Sequence, residues 1–76
     1  MARSYDYSEA IADIKAALDI LPDIPYLYFD LGNLHCLSSD MVSAIEDYDM
    51  ALKLYPEMGE AHFNRGLVLI YLKDKE

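Results

Sequence analysis

An all-α fold of four helices and no sheet is what three observations on this sequence predict. Apolar residues recur at the spacing of a helix face rather than in the alternation of a strand. Pro22 and Pro56 stand just beyond such faces, where proline ends a helix, and Pro25 stands where one would begin. The chain also repeats itself. Shifted by 34 residues, it superposes Asp6 on Asp40, Ala10 on Ala44, Ile11 on Ile45, Asp13 on Asp47, Ala17 on Ala51, Leu18 on Leu52 and Pro22 on Pro56. Further along, Phe29 falls on Phe63, Gly32 on Gly66 and Asp40 on Asp74. With Ser4 on Ser38 there are eleven identities, where chance for this composition gives roughly three. The period is real, and self-similarity at a fixed spacing is the mark of a repeat architecture.

The first helix is expected over residues 8–21. Ala10, Ile11, Ile14, Ala17, Leu18 and Leu21 fall on one face, Asp6 with Glu9 makes a capping-box start, and Pro22 stops it. The second covers 25–37, with Pro25 tolerated in its first turn. It is apolar almost all round, as suits a helix touched on two sides. The third, over 41–55, repeats the first through Ala44, Ile45, Tyr48, Ala51, Leu52 and Tyr55, capped by Asp40 and stopped before Pro56. The fourth covers 59–72. Connections this short force neighbouring helices to run antiparallel.

Length and composition bound what such a stack can be. Seventy-six residues bury only about 60% of their extended surface, so the core is small. The single Cys36 rules out an internal disulfide framework, and no Cys/His group has structural-zinc spacing. Regular packing and partners are the remaining sources of stability. Six basic against fourteen acidic residues give a net charge of −8, which repels phosphate backbones and anionic headgroups. Nucleic acid is therefore not an expected partner, and a cationic or apolar protein surface is. The apolar stretches are broken by Asp19, Asp23 and Asp30, so no membrane insertion is expected. Asp6 and Glu9 stand where a signal peptide would need an apolar run, and the unpaired cysteine points to a reducing compartment such as the cytoplasm.

Tyr28-x2-Leu31-Gly32-x2-His35, followed by Ala44-x3-Tyr48, Ala51 and Pro56, resembles the tetratricopeptide repeat. The resemblance implies an α-solenoid of antiparallel helix pairs. Residues 25–58 match one complete repeat, 5–24 the second helix of a preceding one, and 59–76 the first helix of a following one through His62, Gly66 and Leu69. Tyr28 and His62 replace the usual tryptophan, His35 and Leu69 the tyrosine, and Arg65 a leucine. Gly32 and Ala44 would sit where paired helices cross closely, and Ala51 where the next helix stacks. Ala61, Leu69 and Leu72 would face a missing neighbour, and Asp74 matches the residues that begin a second helix. The expectation is a portion of a longer array, or open ends that meet other chains.

The family binds peptide segments or helices of partner proteins along the concave wall made by its first helices. Tyr26, Phe29, Asn33, Cys36 and Leu37 form that stripe on the second helix, and Glu60, Phe63, Asn64, Leu67, Ile70 and Tyr71 on the fourth. The candidate partner-binding residues are Tyr26, Phe29, Asn33, Phe63, Asn64, Leu67 and Ile70, which suit apolar side chains of a ligand. The alternative is that these aromatics pack on one another. Asn33 and Asn64 match asparagines that, in the chaperone-tail-binding members of the family, hold the ligand backbone and its terminal carboxylate. Phe29 stands where such a clamp needs a lysine, so backbone reading is the better expectation than carboxylate binding.

Catalysis is not expected. His35 and His62 stand where the family buries aromatics, so satisfied core histidines are the simple reading. His35, Cys36 and His62 point to different helix faces, which argues against a metal site. Glu46, Asp47 and Asp49 read as a solvated polar face. Ser38 and Ser39 have no histidine base at suitable spacing, no glycine-rich phosphate loop exists, and no cofactor is implied. The function expected is a protein-interaction scaffold. The alternative is a homo-oligomer formed through the open terminal helices.

Overall fold

The computed structural model describes residues 6–75, which form four helices: α1 (Ser8–Ile20), α2 (Pro25–Leu37), α3 (Met41–Leu54) and α4 (Gly59–Lys75). The Ser4–Ser38 match of the repeat lies partly outside the described residues. The first three helices fall within a residue of their expected bounds. The fourth runs three residues past the expected stop at Leu72, and Asp74 lies inside it rather than at the start of a new helix.

The repeat seen in sequence is a repeat in hydrogen bonds. Leu21 N–H reaches the carbonyl of Ala17 at 2.7 Å, and 34 residues on Tyr55 N–H reaches that of Ala51 at 2.8 Å. Each closes its helix just before proline, whose missing N–H and fixed φ forbid another turn. The matching aspartates act differently at the two N-termini: Asp40 is the N-cap of α3, whereas Tyr7 is the N-cap of α1 and makes no side-chain cap. Asp40 Oδ1 accepts the N–H of Ser43 at 3.2 Å, three residues into α3. Asp6 Oδ1 accepts instead from the N–H and hydroxyl of Ser8, at 2.9 and 2.6 Å, so the capping box expected with Glu9 does not form.

The turn between α2 and α3 is a Schellman motif: Asp40 N–H bonds the carbonyl of His35 and Ser39 N–H that of Cys36. The motif needs a left-handed residue at its corner. Ser39 fills that place with φ 66°, the position usually given to glycine.

Helices pack mainly on their chain neighbours, with the largest interface between α2 and α3, then α3 and α4, then α1 and α2. The buried apolar residues are Leu31, Ala44, Tyr48, Ala51, Met58, Ala61 and Val68. Three alanines and Gly32 let the backbones approach, and Tyr48 fills the space they leave. A Cβ added to Gly32 would stand 2.7 Å from Tyr48 Cε1, so glycine is what allows α2 and α3 to cross with a tyrosine between them. Ala61, expected to face an empty side, is instead fully buried in this core. Met58, in the connection between α3 and α4, belongs to the same buried cluster. Leu72 is half-buried against the same cluster, and Leu69 alone of that trio is exposed.

Candidate functional site

α2 and α4 both run antiparallel to α3, so they lie side by side in the same direction. Asn33 on α2 and Asn64 on α4 meet between them. Asn64 Nδ2 donates to Asn33 Oδ1 at 3.0 Å, and the Tyr48 hydroxyl donates to the same oxygen at 2.5 Å. Because the only phenolic hydrogen goes to Asn33, the Cys36 thiol is the donor in its 3.6 Å contact with the Tyr48 oxygen. Burial, with the Cys36 bond second, pushes the Tyr48 phenol well above the ordinary tyrosine range, so it stays a neutral donor.

Beyond this bridge an open cleft of about 430 Å³ follows the second halves of α2 and α4. Cys36 and Leu37 form one wall, Leu67, Val68 and Tyr71 the other, and Met41 and Tyr48 contribute from α3. Its surface is almost wholly apolar, and the Asn33 and Asn64 amides are among the few polar groups that line it. Asn33 already uses its carbonyl oxygen twice within the protein. The donors of its amide nitrogen and the carbonyl of Asn64 are the remaining polar groups of the pair, complementary to a backbone C=O and N–H.

Of the seven candidate residues, Asn33, Asn64 and Leu67 line the cleft. Tyr26 and Phe29 do not. They join an aromatic cluster, with Tyr26 edge-on to Phe29 at 6.2 Å, Phe29 tilted on Tyr48 at 5.9 Å and Tyr26 tilted on Tyr55 at 6.5 Å. Phe29 is half-buried on the core, and the charge of nearby Glu60 raises the phenol of Tyr26. Phe63 and Ile70 lie outside the cleft and are exposed by 67% and 61%. They continue an apolar strip along α4 from the lining residue Leu67. Met41, Tyr48 and Val68 are lining residues that helix faces read singly do not assign, because their placement depends on how three helices meet.

The titratable residues sort differently from the sequence expectation. His35 Nδ1 lies 2.6 Å from Asp47 Oδ2, joining α2 to α3, and both side chains are largely covered. Asp47 is thus not part of a solvated face. Its burial raises the carboxyl pKa, and the hydrogen bond from His35 works against that rise. His62 is exposed rather than core, with Nε2 2.7 Å from the carbonyl of Pro56. Asp49 accepts from Arg65 Nε at 2.6 Å on the surface. Among the described residues, no three His, Cys, Asp or Glu side chains are grouped to hold a metal ion, and no helix is long and apolar enough to cross a membrane.

Among known proteins, the chain is similar to part of a longer bacterial protein. Over 69 residues the chain is 35% identical to Protein FlbA of Caulobacter vibrioides (strain ATCC 19089 / CIP 103742 / CB 15). The match covers 91% of this chain and 12% of that protein, so the chain spans about an eighth of the length of this curated relative. No protein-family model matches the chain.

Proposed function

We propose that this chain is a protein-interaction module of the tetratricopeptide-repeat kind, which binds a segment of a partner protein in the cleft between α2 and α4. The observation that carries the reading is the cleft itself: an open apolar trough with an amide pair at one end. Apolar walls suit one or two bulky side chains of a peptide or amphipathic helix, and the amides suit its backbone. The 34-residue period, present in sequence and in helix-end hydrogen bonds, supports the family resemblance.

Leu67 is the residue on which to test this, because it lines the cleft, is half-exposed and is absent from the core. Peptides selected from a random library on the parent chain should carry an apolar anchor. They should lose at least tenfold in affinity to Leu67→Asp, about 1.4 kcal/mol or more. Ile20→Asp, an exposed change on α1, should leave their affinity unchanged. Selected peptides that bind Leu67→Asp as tightly as the parent would show that the cleft is not the site.

A further inference from the structure

Gly32 and Gly66 hold the same place in the 34-residue period, one on α2 and one on α4, and their surroundings are opposite. A Cβ on Gly32 would run into Tyr48, because α3 lies across that face, whereas a Cβ on Gly66 would meet nothing within 4 Å. Leu69, one turn further along α4, matches the covered His35 of α2 and is 42% exposed. The α4 surface that corresponds to the α3-facing surface of α2 is therefore bare among the described residues. The helix that would cover it also exists in the chain. α3 places Tyr48, 1% exposed, across Gly32, and buries Ala44 and Ala51 on either side of it along the helix. α1 carries Ala10, Ile14 and Ala17 at the matching places, all half-buried, and has no fully buried residue.

We infer that a second copy of this chain is the occupant: α1 of one copy seats across Gly66 of another as α3 seats across Gly32. Ile14 then takes the place of Tyr48. This contact would repeat the largest interface inside the chain, that of α2 with α3. α1 is identical to α3 at Ala10, Ile11, Asp13, Ala17 and Leu18, and α4 keeps the glycine around which that interface is built. Ile14 is smaller than tyrosine and meets a glycine, so the approach is not blocked. This face is separate from the cleft, which Leu67 and Tyr71 line and Gly66 and Leu69 do not. The contact is heterologous. It joins the α4 end of one copy to the α1 end of the next, so copies add head to tail rather than stopping at a two-fold dimer.

Sedimentation of the 76-residue chain tests this. Mean mass should rise with protein concentration, and Gly66→Leu should hold the chain at monomer mass with unchanged helix content, since no described residue of the monomer comes within 4 Å of a Cβ there. Ala10→Arg blocks the other end and should also be monomeric. Mixed together, the two variants should form a one-to-one complex that grows no further, because each keeps one working end. A parent chain that stays monomeric at every concentration overturns the inference and leaves the α4 face to a different covering helix. Association that survives Gly66→Leu places the contact elsewhere. An associating parent with no complex in the mixture would indicate like-to-like contact instead, and would also overturn it. None of these readings depends on whether the cleft binds peptides.

Discussion

α1 and α3 share a hydrophobic pattern, an aspartate start and a proline stop, and their last hydrogen bonds match at 2.7 and 2.8 Å. Yet α3 buries Ala44, Tyr48 and Ala51, while α1 buries no residue. The difference lies in neighbours: among the described residues, α3 is held between α2 and α4, and α1 packs chiefly on α2. Sequence pattern makes the helix, and position in the stack decides how much of its apolar face leaves water. In such stacks stability is approximately a sum of unit and neighbour-interface contributions, so matching residues need not be worth the same.

The largest test of this contrast is truncation at matching places. Tyr48→Ala should cost about 3–5 kcal/mol, measured by urea unfolding, because it empties the centre of the core. Ile14→Ala should cost about 1 kcal/mol, since that side chain is only half removed from water. Equal losses would show that α1 is packed as tightly as α3. The paired glycines give a smaller effect with opposite signs. Gly32→Ala forces a methyl against Tyr48 and should destabilise by about 1–3 kcal/mol. Gly66→Ala meets open space inside a helix and should stabilise by roughly 0.5–1 kcal/mol.

The caps sharpen the contrast with the smallest effect. Hydrogen bonds from Ser8 hold the Asp6 carboxyl below its ordinary pKa of 3.8, and those from Ser43 do the same for Asp40. A depressed carboxyl contributes stability that is complete above the ordinary value and is lost as pH falls through the lowered one. Asp40→Ala should therefore lower the melting temperature at neutral pH and converge with the parent in strong acid. Asp6→Ala should behave the same way with a smaller shift, because Asp6 holds only Ser8 ahead of a helix that lies outside the main core.

Much of the fold was legible because its signals are local. Pro22, Pro25, Pro56 and Asp40 mark helix ends through backbone geometry, and the 34-residue period identified equivalent elements without any structure. The expected end of α4 at Leu72 falls short of Lys75: Asp74 resembles the helix-starting Asp40, but no proline or glycine after Leu72 breaks the helix there. The candidate site was legible in part. Asn33 and Asn64 were recognised as a pair and do meet. Tyr26 and Phe29 share the stripe of Asn33, but their long side chains reach neighbouring aromatics rather than the cleft. Asp47 looked solvated in an acidic run, and only its partner on another helix explains its cover. Helical periodicity assigns a face to each residue. What that face meets is a property of three helices at once.

The order of the interfaces also has a kinetic meaning. Every major contact joins helices adjacent in the chain, so no long loop must close before packing begins, and folding of this kind is fast. The α2–α3 hairpin holds the largest interface and the Tyr48–Gly32 crossing, which makes it the natural nucleus. α1 can then detach and return without disturbing that hairpin. Amide exchange should be slowest at the crossing and fastest toward the first helix, giving one small protein a gradient of opening rates along its length.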